Sequence, residues 1–424
     1  MLDSTAISIR SVARPRLGHR AAFWLLALTL GLLLFASSAP SPLYVVYQSS
    51  WGFSAITLTS VFAAYALALL ATLITAGSLS DHVGRRPALL VALGIEMVGM
   101  LLFAEARNVE WLFAARILQG IATGVAMGAI SAALLDLQPD DNPRLGALMG
   151  VAAPLSGLAA GALVSGFLVQ YAPEPTRLVY WLLIGGFALA VGIAMAVPET
   201  VRGDGSWARG IRPRVAVPSA LRTPFVAAVP CLVATWALGG LVLSLGPSLT
   251  AGVLGDTSHV AGGLPIFLMA GISALASVWL RESHARATAR GGLVALIVGI
   301  VLALAALHFR STGLFLVGAA IAGLGFGPAF AGAFRALTTL APPDQRAAFV
   351  SSILVVAYLA FSLPAVVAGV AVTQIGLHET AKVYGIVLIA LAGVALLLTR
   401  ALTDPNSPAV DLNASRSSWG HNSP

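Results

Sequence analysis

Glu96 sits near the middle of a long apolar stretch, with no other Asp, Glu, Lys or Arg within eight positions. A carboxyl withdrawn from water is penalised in its charged form, so it can load and unload a proton near neutral pH. Arg116 lies in the next apolar stretch, one helical turn before Gly120, Gly124 and Gly128. A guanidinium keeps its charge, so Arg116 is expected to point inward, at a substrate anion or at a carboxylate, the alternative being that it snorkels toward the outer surface. The stretch "GSLSDHVGRRPALL" places Asp81 between Gly77 and Gly84 and follows it with Arg85 and Arg86. An acid beside two cations in a glycine-punctuated turn can latch one half of the chain onto the other and release it again, the alternative being that Arg85 and Arg86 only anchor the topology. Asp136, followed by Arg144, is a candidate partner for it. Tyr65, Gln119, Trp236, Phe326 and Tyr358 fall inside apolar stretches and can line a site for a largely apolar compound, although such aromatics also serve plain packing.

The elements that hold these residues follow from composition. Apolar residues make up 58% of the 424 and charged residues 10%, against roughly a quarter charged in a soluble domain. The solvent that suits such a chain is a bilayer, which takes about 20 apolar residues per helical crossing. The stretches are apolar all round rather than alternating, so helices are expected and not a barrel. Cys231 is the only cysteine, which excludes an internal disulfide and a Cys/His metal centre. No Gly-x-x-x-x-Gly-Lys-Ser/Thr loop occurs, so ATP-driven pumping and a nucleotide cofactor are not expected; no metal and no other cofactor is expected either. The net charge of +7 is spread over short segments rather than gathered in one patch, which argues against nucleic acid. Without a His cluster or paired carboxylates in mid-span, the chain is not expected to be an enzyme.

Charges, prolines and glycines predict twelve spans: 21–47, 55–76, 87–104, 111–135, 145–171, 178–197, 224–249, 260–280, 292–307, 313–339, 347–375 and 383–399. The first follows Arg14, Arg16 and Arg20 and resembles a signal peptide, but its apolar run continues through "LYVVY" and is read as a retained crossing. With the amino terminus inside, 19 Arg/Lys fall on the inner side and 4 on the outer, leaving Arg116 within a span. This bias places both termini in the cytoplasm of a bacterial inner membrane. The organisation expected is an inner tail 1–20, a six-helix bundle 21–199, an Arg-, Gly- and Pro-rich linker 200–222, a second bundle 223–400 and a disordered tail 401–424. The halves echo each other at an offset of 200: Ile121/Ile321, Ala122/Ala322, Ala129/Ala329, Leu137/Leu337 and Pro143/Pro343 are identical pairs. Two fused bundles of this kind are a common transporter organisation.

The run Gly77-x-Leu79-x-Asp81-His-x-Gly84-Arg85-Arg86 resembles the signature between the second and third helices of the major facilitator superfamily, with His82 where a basic Arg or Lys is usual. "LFAARILQG", 112–120, resembles the family's fourth-helix signature, and "VPET", 197–200, resembles the close of its sixth helix. The resemblance implies an all-α membrane protein of two pseudo-symmetric six-helix bundles. It further implies a transporter working by alternating access, closest in flavour to bacterial efflux permeases, with protons and a small molecule as partners and acting as a monomer. An interior coupling role for Arg116 is part of that implication. The fifth span departs from the family's antiporter signature, because Leu158 follows Gly157 where Pro is expected.

Gly146, Gly150, Gly157 and Gly161 share one stripe of the fifth span, which suits close helix approach. The first and seventh spans carry "SSAPSPLY" and "SLGPS", read as helix breaks beside a binding site. Tyr44, Tyr47, Trp51, Trp111 and Trp181 are read as an outer interfacial belt. The functional expectation is proton-coupled export of a small, largely apolar or drug-like solute. Import or facilitated passage of a neutral metabolite, or a non-transporting receptor or assembly protein, are the alternatives. Topology is checked by reporter fusions: residues 85, 210 and 420 should report from the cytoplasm and residues 108 and 310 from outside. An external signal at 210 overturns the two-bundle arrangement.

Overall fold

The computed structural model describes residues 17–401 apart from 202, 204, 205, 211, 212 and 214. Most of the amino-terminal tail, part of the linker and the carboxy-terminal tail expected from the sequence lie outside the described residues. The chain is all helix across these residues: α1 (His19–Ser38), α2 (Pro40–Trp51), α3 (Ala55–Ala76), α4 (Leu79–Val83), α5 (Arg85–Ala104), α6 (Val109–Asp136), α7 (Leu145–Tyr171), α8 (Leu178–Ala196), α9 (Trp207–Gly210), α10 (Arg222–Gly252), α11 (His259–Trp279), α12 (Ala285–Phe309), α13 (Thr312–Leu340) and α14 (Arg346–Ala401). Eleven of the described helical segments are long and apolar enough to cross a membrane, α1 and α2 counting as one.

The 56-residue α14 supplies two crossings. Gly376 adopts φ 81°, ψ 164° and breaks it, a conformation that only glycine takes without strain. The chain reverses there. Phe361 lies on Gly240 before the break, Leu377 meets Gly252 just after it, and the Tyr384 hydroxyl then donates to the Ala237 carbonyl at 2.9 Å, back in mid-α10. The described crossings therefore number twelve, as the charge pattern predicts.

Local chemistry explains the helix starts at the arginine-poor end. Ser54, Asn108, Ser258 and Ser311 each accept from the backbone N–H three residues on, capping α3, α6, α11 and α13. Charged residues extend two helices beyond the predicted apolar limits. The last crossing starts right after Gly376 rather than at 383, because His378, Glu379 and Lys382 form an exposed helical turn whose Lys382–Glu379 pair lies at 3.5 Å. Likewise α12 starts at Ala285, ahead of Arg286 and Arg290. The expected break in the seventh span is absent: α10 runs through Pro230 and Pro247 without interruption. In the first crossing only the hydrogen-bond ladder is interrupted, around Ala39 between α1 and α2, where Pro40 and Pro42 remove two backbone donors while Ala39 keeps helical φ −53°, ψ −38°.

Glycine sets how closely the crossings approach. A Cβ on Gly157 would lie 2.0 Å from the Gly31 carbonyl, and one on Gly161 2.2 Å from that of Phe35, so α7 lies on α1 backbone to backbone. The other two stripe glycines behave differently. Gly146 abuts the Leu134 carbonyl of α6, and Gly150 has open space. The two bundles meet through α7 with α11 and α3 with α14. Their tightest approaches sit at the arginine-poor end: Gly166 against His259, Gly263 against Ala162, and Gly369 against Thr59. There the Gln170 side-chain carbonyl also accepts from the His259 backbone N–H at 2.9 Å.

These contacts set a stability expectation. Gly157→Val should lower the unfolding midpoint of the purified protein, because overpacking costs ~1–3 kcal/mol and the opposing atom is backbone. Gly150→Ala should leave the midpoint unchanged or raise it, since alanine favours a helix by roughly 0.5–1 kcal/mol. Thermal unfolding in detergent measures both.

Candidate functional site

The α3–α6 contact builds the core of the site. Gly120 of α6 faces the Tyr65 carbonyl of α3, where a Cβ would stand 2.5 Å away, and Gly124 and Gly128 continue the seam against Thr72 and Gly77. The contact holds Arg116, one turn back along α6, beside the Tyr65 ring. Arg116 is fully buried. Its Nε donates to the Tyr44 hydroxyl at 2.6 Å, and its Nη1 donates to the Ser37 carbonyl at 2.9 Å and to Gln119 Oε1 at 2.7 Å. Gln119 Nε2 in turn donates to Glu96 Oε1 at 3.2 Å. Glu96 and Gln119 are also fully buried.

Glu96 and Arg116 therefore make no direct pair; a neutral amide joins them. Three ring faces surround the guanidinium: Tyr44 and Tyr65 at 5.4 Å and Phe103 at 5.6 Å. Such faces attract a cation without neutralising it. Several atoms in and around this cluster have no hydrogen-bond partner: Arg116 Nη2, Glu96 Oε2, the Tyr65 hydroxyl, Thr123 Oγ1 and Ser41 Oγ. With Glu96 ionised the pair of charges is balanced. With Glu96 protonated the cluster carries one uncompensated positive charge.

The aromatic residues expected from the sequence are partly brought together. Tyr65, Tyr358 and Trp236 pack in one cluster between the bundles. Trp236 lies 4.9 Å from the Tyr358 ring, 5.3 Å from Phe330 and 5.7 Å from Phe361. Phe326 stands one turn from Phe330 and packs on Gly239 of α10. Gln119, expected along the substrate path, is instead enclosed between Arg116 and Glu96, because both ends of its amide are engaged there. Sequence reasoning missed Phe330 and Phe361; the four-residue step from Phe326 to Phe330 is the signal for the first. It also placed Tyr44 and Tyr47 at an outer interface. Both are buried, Tyr44 accepting from Arg116 and Tyr47 lying against Tyr180 of α8. Trp181, by contrast, is 46% exposed.

In the 77–86 turn, Gly84 has φ 105°, and Glu199 occupies the space a Cβ would need. The Glu199 carboxylate accepts from the backbone N–H of Arg85 at 2.9 Å and of Arg86 at 3.0 Å, capping α5 from 113 residues or more away in sequence. The Arg85 guanidinium pairs with Asp81, donates to Ser80 Oγ at 2.8 Å and reaches Asp136 at 3.5 Å. Thr200 donates to Asp136 at 2.8 Å. Gly77 forms the seam with Gly128, and Arg86 contributes its backbone N–H. Among the described residues, every partner of the turn lies in the amino-terminal bundle or the linker. The expected latch across the two bundles is therefore not formed in this conformation. Gly203 and Gly210 of the linker press on His82 and Leu79 instead. Glu199 escaped notice as a partner because only the fold returns "VPET" to the turn.

The family model described as Major Facilitator Superfamily matches residues 26–307. The chain belongs to the major facilitator superfamily. It shares 33% identity over 129 residues with the Multidrug transporter MdfA of Yersinia pestis, covering 29% of this chain and 30% of that protein. It shares 31% over 122 residues with the Efflux pump atB of Aspergillus terreus, covering 29% and 25%. These alignments, and that with a transporter of Penicillium rubens at 22% of its length, span well under half of the curated relatives they match. In fold, this major facilitator is similar to a bacterial homolog of the human lysosomal transporter Spinster, solved inward-facing and unoccupied. That likeness has a TM-score of 0.72 at 15% identity, over 92% of this chain and 99% of the other. A POT family transporter solved with 5-aminolevulinic acid matches at 0.70 and 14%, over 91% and 96%. This major facilitator is thus a multi-pass membrane protein of that family.

Proposed function

We propose that this protein exports a small, largely apolar or drug-like compound across a bacterial inner membrane in exchange for protons, with both termini in the cytoplasm and as a monomer. The observation that carries the proposal is the Glu96–Gln119–Arg116 chain, fully buried in one bundle and joined through Tyr65 to the aromatic cluster between the bundles. A proton on Glu96 changes the net charge of that chain. Trp236, Tyr358, Phe326 and Phe330 offer ring surfaces for an apolar guest, and the similarity to proteins named for multidrug transport and efflux supports outward movement.

The turn has a separate role in this reading. Gly77, Asp81, Gly84, Arg85, Arg86 and Asp136 hold the arginine-rich end of the amino-terminal bundle and set the balance between its conformations. A shift in that balance changes rate more than intrinsic affinity.

Flux of chloramphenicol, ethidium and a dye panel in liposomes, with and without an imposed pH gradient, tests both parts. Glu96→Gln should keep downhill movement and lose gradient-driven accumulation, while Arg116→Ala should impair both. Full gradient-driven transport by Glu96→Gln sinks the proton assignment. In the same vesicles Asp81→Asn should slow turnover with little change in half-saturating concentration; an unchanged rate reduces the turn to a topology anchor.

A further inference from the structure

Tyr65 lies between the buried Arg116 guanidinium and the cluster that α14 contributes to. It is 4% exposed and contacts both sides. Its ring face lies 5.4 Å from the Arg116 guanidinium. Its hydroxyl sits beside the side chains of Ser37 and Thr123 in the amino-terminal bundle. On the far side it shares an apolar cluster with Tyr358 of α14. Tyr358 in turn lies 4.9 Å from Trp236 of α10. One side chain thus spans from the guanidinium to the carboxy-terminal bundle.

We infer that Tyr65 is a positioning residue that transmits the protonation of Glu96 to α14. This rests on the proposed proton site at Glu96. The physical step is an exchange of partners for the Arg116 charge. Ionised Glu96 draws Arg116 through Gln119, with its own Oε2 and Arg116 Nη2 free to take part. Protonation removes that pull, and the uncompensated cation leans on the ring faces around it. A cation over ring faces is held more strongly once it is desolvated, so the ring contacts gain weight as the carboxylate is lost. Of the three rings, Phe103 lies on α5 in the same bundle as Arg116, Tyr44 shares a core with Leu241, Leu245 and Ala368 of the other bundle, and Tyr65 shares one with Tyr358 of α14. The other titratable groups facing the pair are phenols: Tyr44 of α2 and Tyr180 of α8, the latter with its hydroxyl 3.4 Å from that of Tyr47. On α5 itself Glu96 has no charged neighbour.

The hypothesis puts the transmission in the ring and not in the hydroxyl, which sets the choice of variants. Spin labels at Thr75 and Ser351 report the separation of α3 and α14 near the arginine-rich end; Cys231 is buried and stays unlabelled. The distance distribution is recorded against pH on the full chain in nanodiscs, and an infrared carboxyl band absent from Glu96→Gln reports the Glu96 proton in parallel. The unmodified background should show a pH-driven shift in distance, and Glu96→Gln should lose it. Tyr65→Phe should retain the shift. Tyr65→Leu should lose it while the Glu96 band still titrates, which also shows that the variant is folded. Tyr358→Leu, on the far side of the contact, should behave like Tyr65→Leu and serves if that variant does not fold. A distance shift that survives in Tyr65→Leu or Tyr358→Leu overturns the inference and leaves the proton site standing. A shift that survives in Glu96→Gln overturns the proton site itself.

Discussion

A guanidinium that keeps its proton, held away from water, is the constraint on which this structure turns. The cost of desolvating an ion is several kcal/mol even after relaxation, and an unpaired buried ion is worse. Arg116 meets that cost with a carbonyl, a phenol, an amide and three ring faces, and with a carboxylate only at second hand. Each partner comes from a different local peculiarity. The glycine seam between α3 and α6 brings Tyr65 within reach. In the first crossing Ser37 and Tyr44 lie on either side of the interrupted ladder at Ala39. Gln119 follows one turn after Arg116 on the same helix face. The site and the packing of the amino-terminal bundle are therefore one arrangement rather than two.

The two bundles share an architecture but divide the chemistry. At the sequence offset of 200 that relates them, Glu96, Arg116 and Gln119 correspond to Leu296, Leu316 and Ala319. The helix pair there is closed by small residues: Gly292 and Gly299 lie against the backbone of Ala329 and Ala322, and Gly325 against Gly292 and Leu296. Backbones so close leave no room for a buried charge and its solvating groups. The buried charges accordingly lie in the amino-terminal bundle, while the carboxy-terminal bundle contributes the aromatic surface of Trp236, Phe330, Tyr358 and Phe361. The same contrast holds at the arginine-rich end. There Arg85 has acidic partners, whereas Arg335, among the described residues, donates to the Arg281 carbonyl and to Thr288.

The tight glycine contacts at the arginine-poor end and the ion-paired turn at the other serve different ends of a moving machine. Backbone contacts between α7 and α11 are short-range, and they persist only while the two surfaces stay matched. The turn is half in water, and an exposed ion pair is worth ~0–1 kcal/mol, so it is easily exchanged. The Glu199 cap on α5 gives that labile cluster a fixed seat, because a carboxylate at a helix start satisfies N–H groups that have no partner within the helix.

The sequence by itself determined the solvent, the number of crossings, the two-bundle plan and the two residues that cannot be idle. Those properties follow from apolar run length, arginine placement and the rarity of charge in oil, all of which are local or additive. Tertiary structure decided which residues meet. Glu199 returns to the turn from more than a hundred residues away, Tyr44 is buried rather than set at an interface, and Gln119 is taken from the substrate path to bridge two charges. It also decided that Pro247 leaves α10 unbroken while Pro40 and Pro42 interrupt the ladder of the first crossing. A proline's effect depends on what neighbours its freed carbonyls find, and a side chain's partners depend on helix rotation. Rotation is set by where glycine allows backbones to touch, and that is a property of helix pairs rather than of any one stretch of chain.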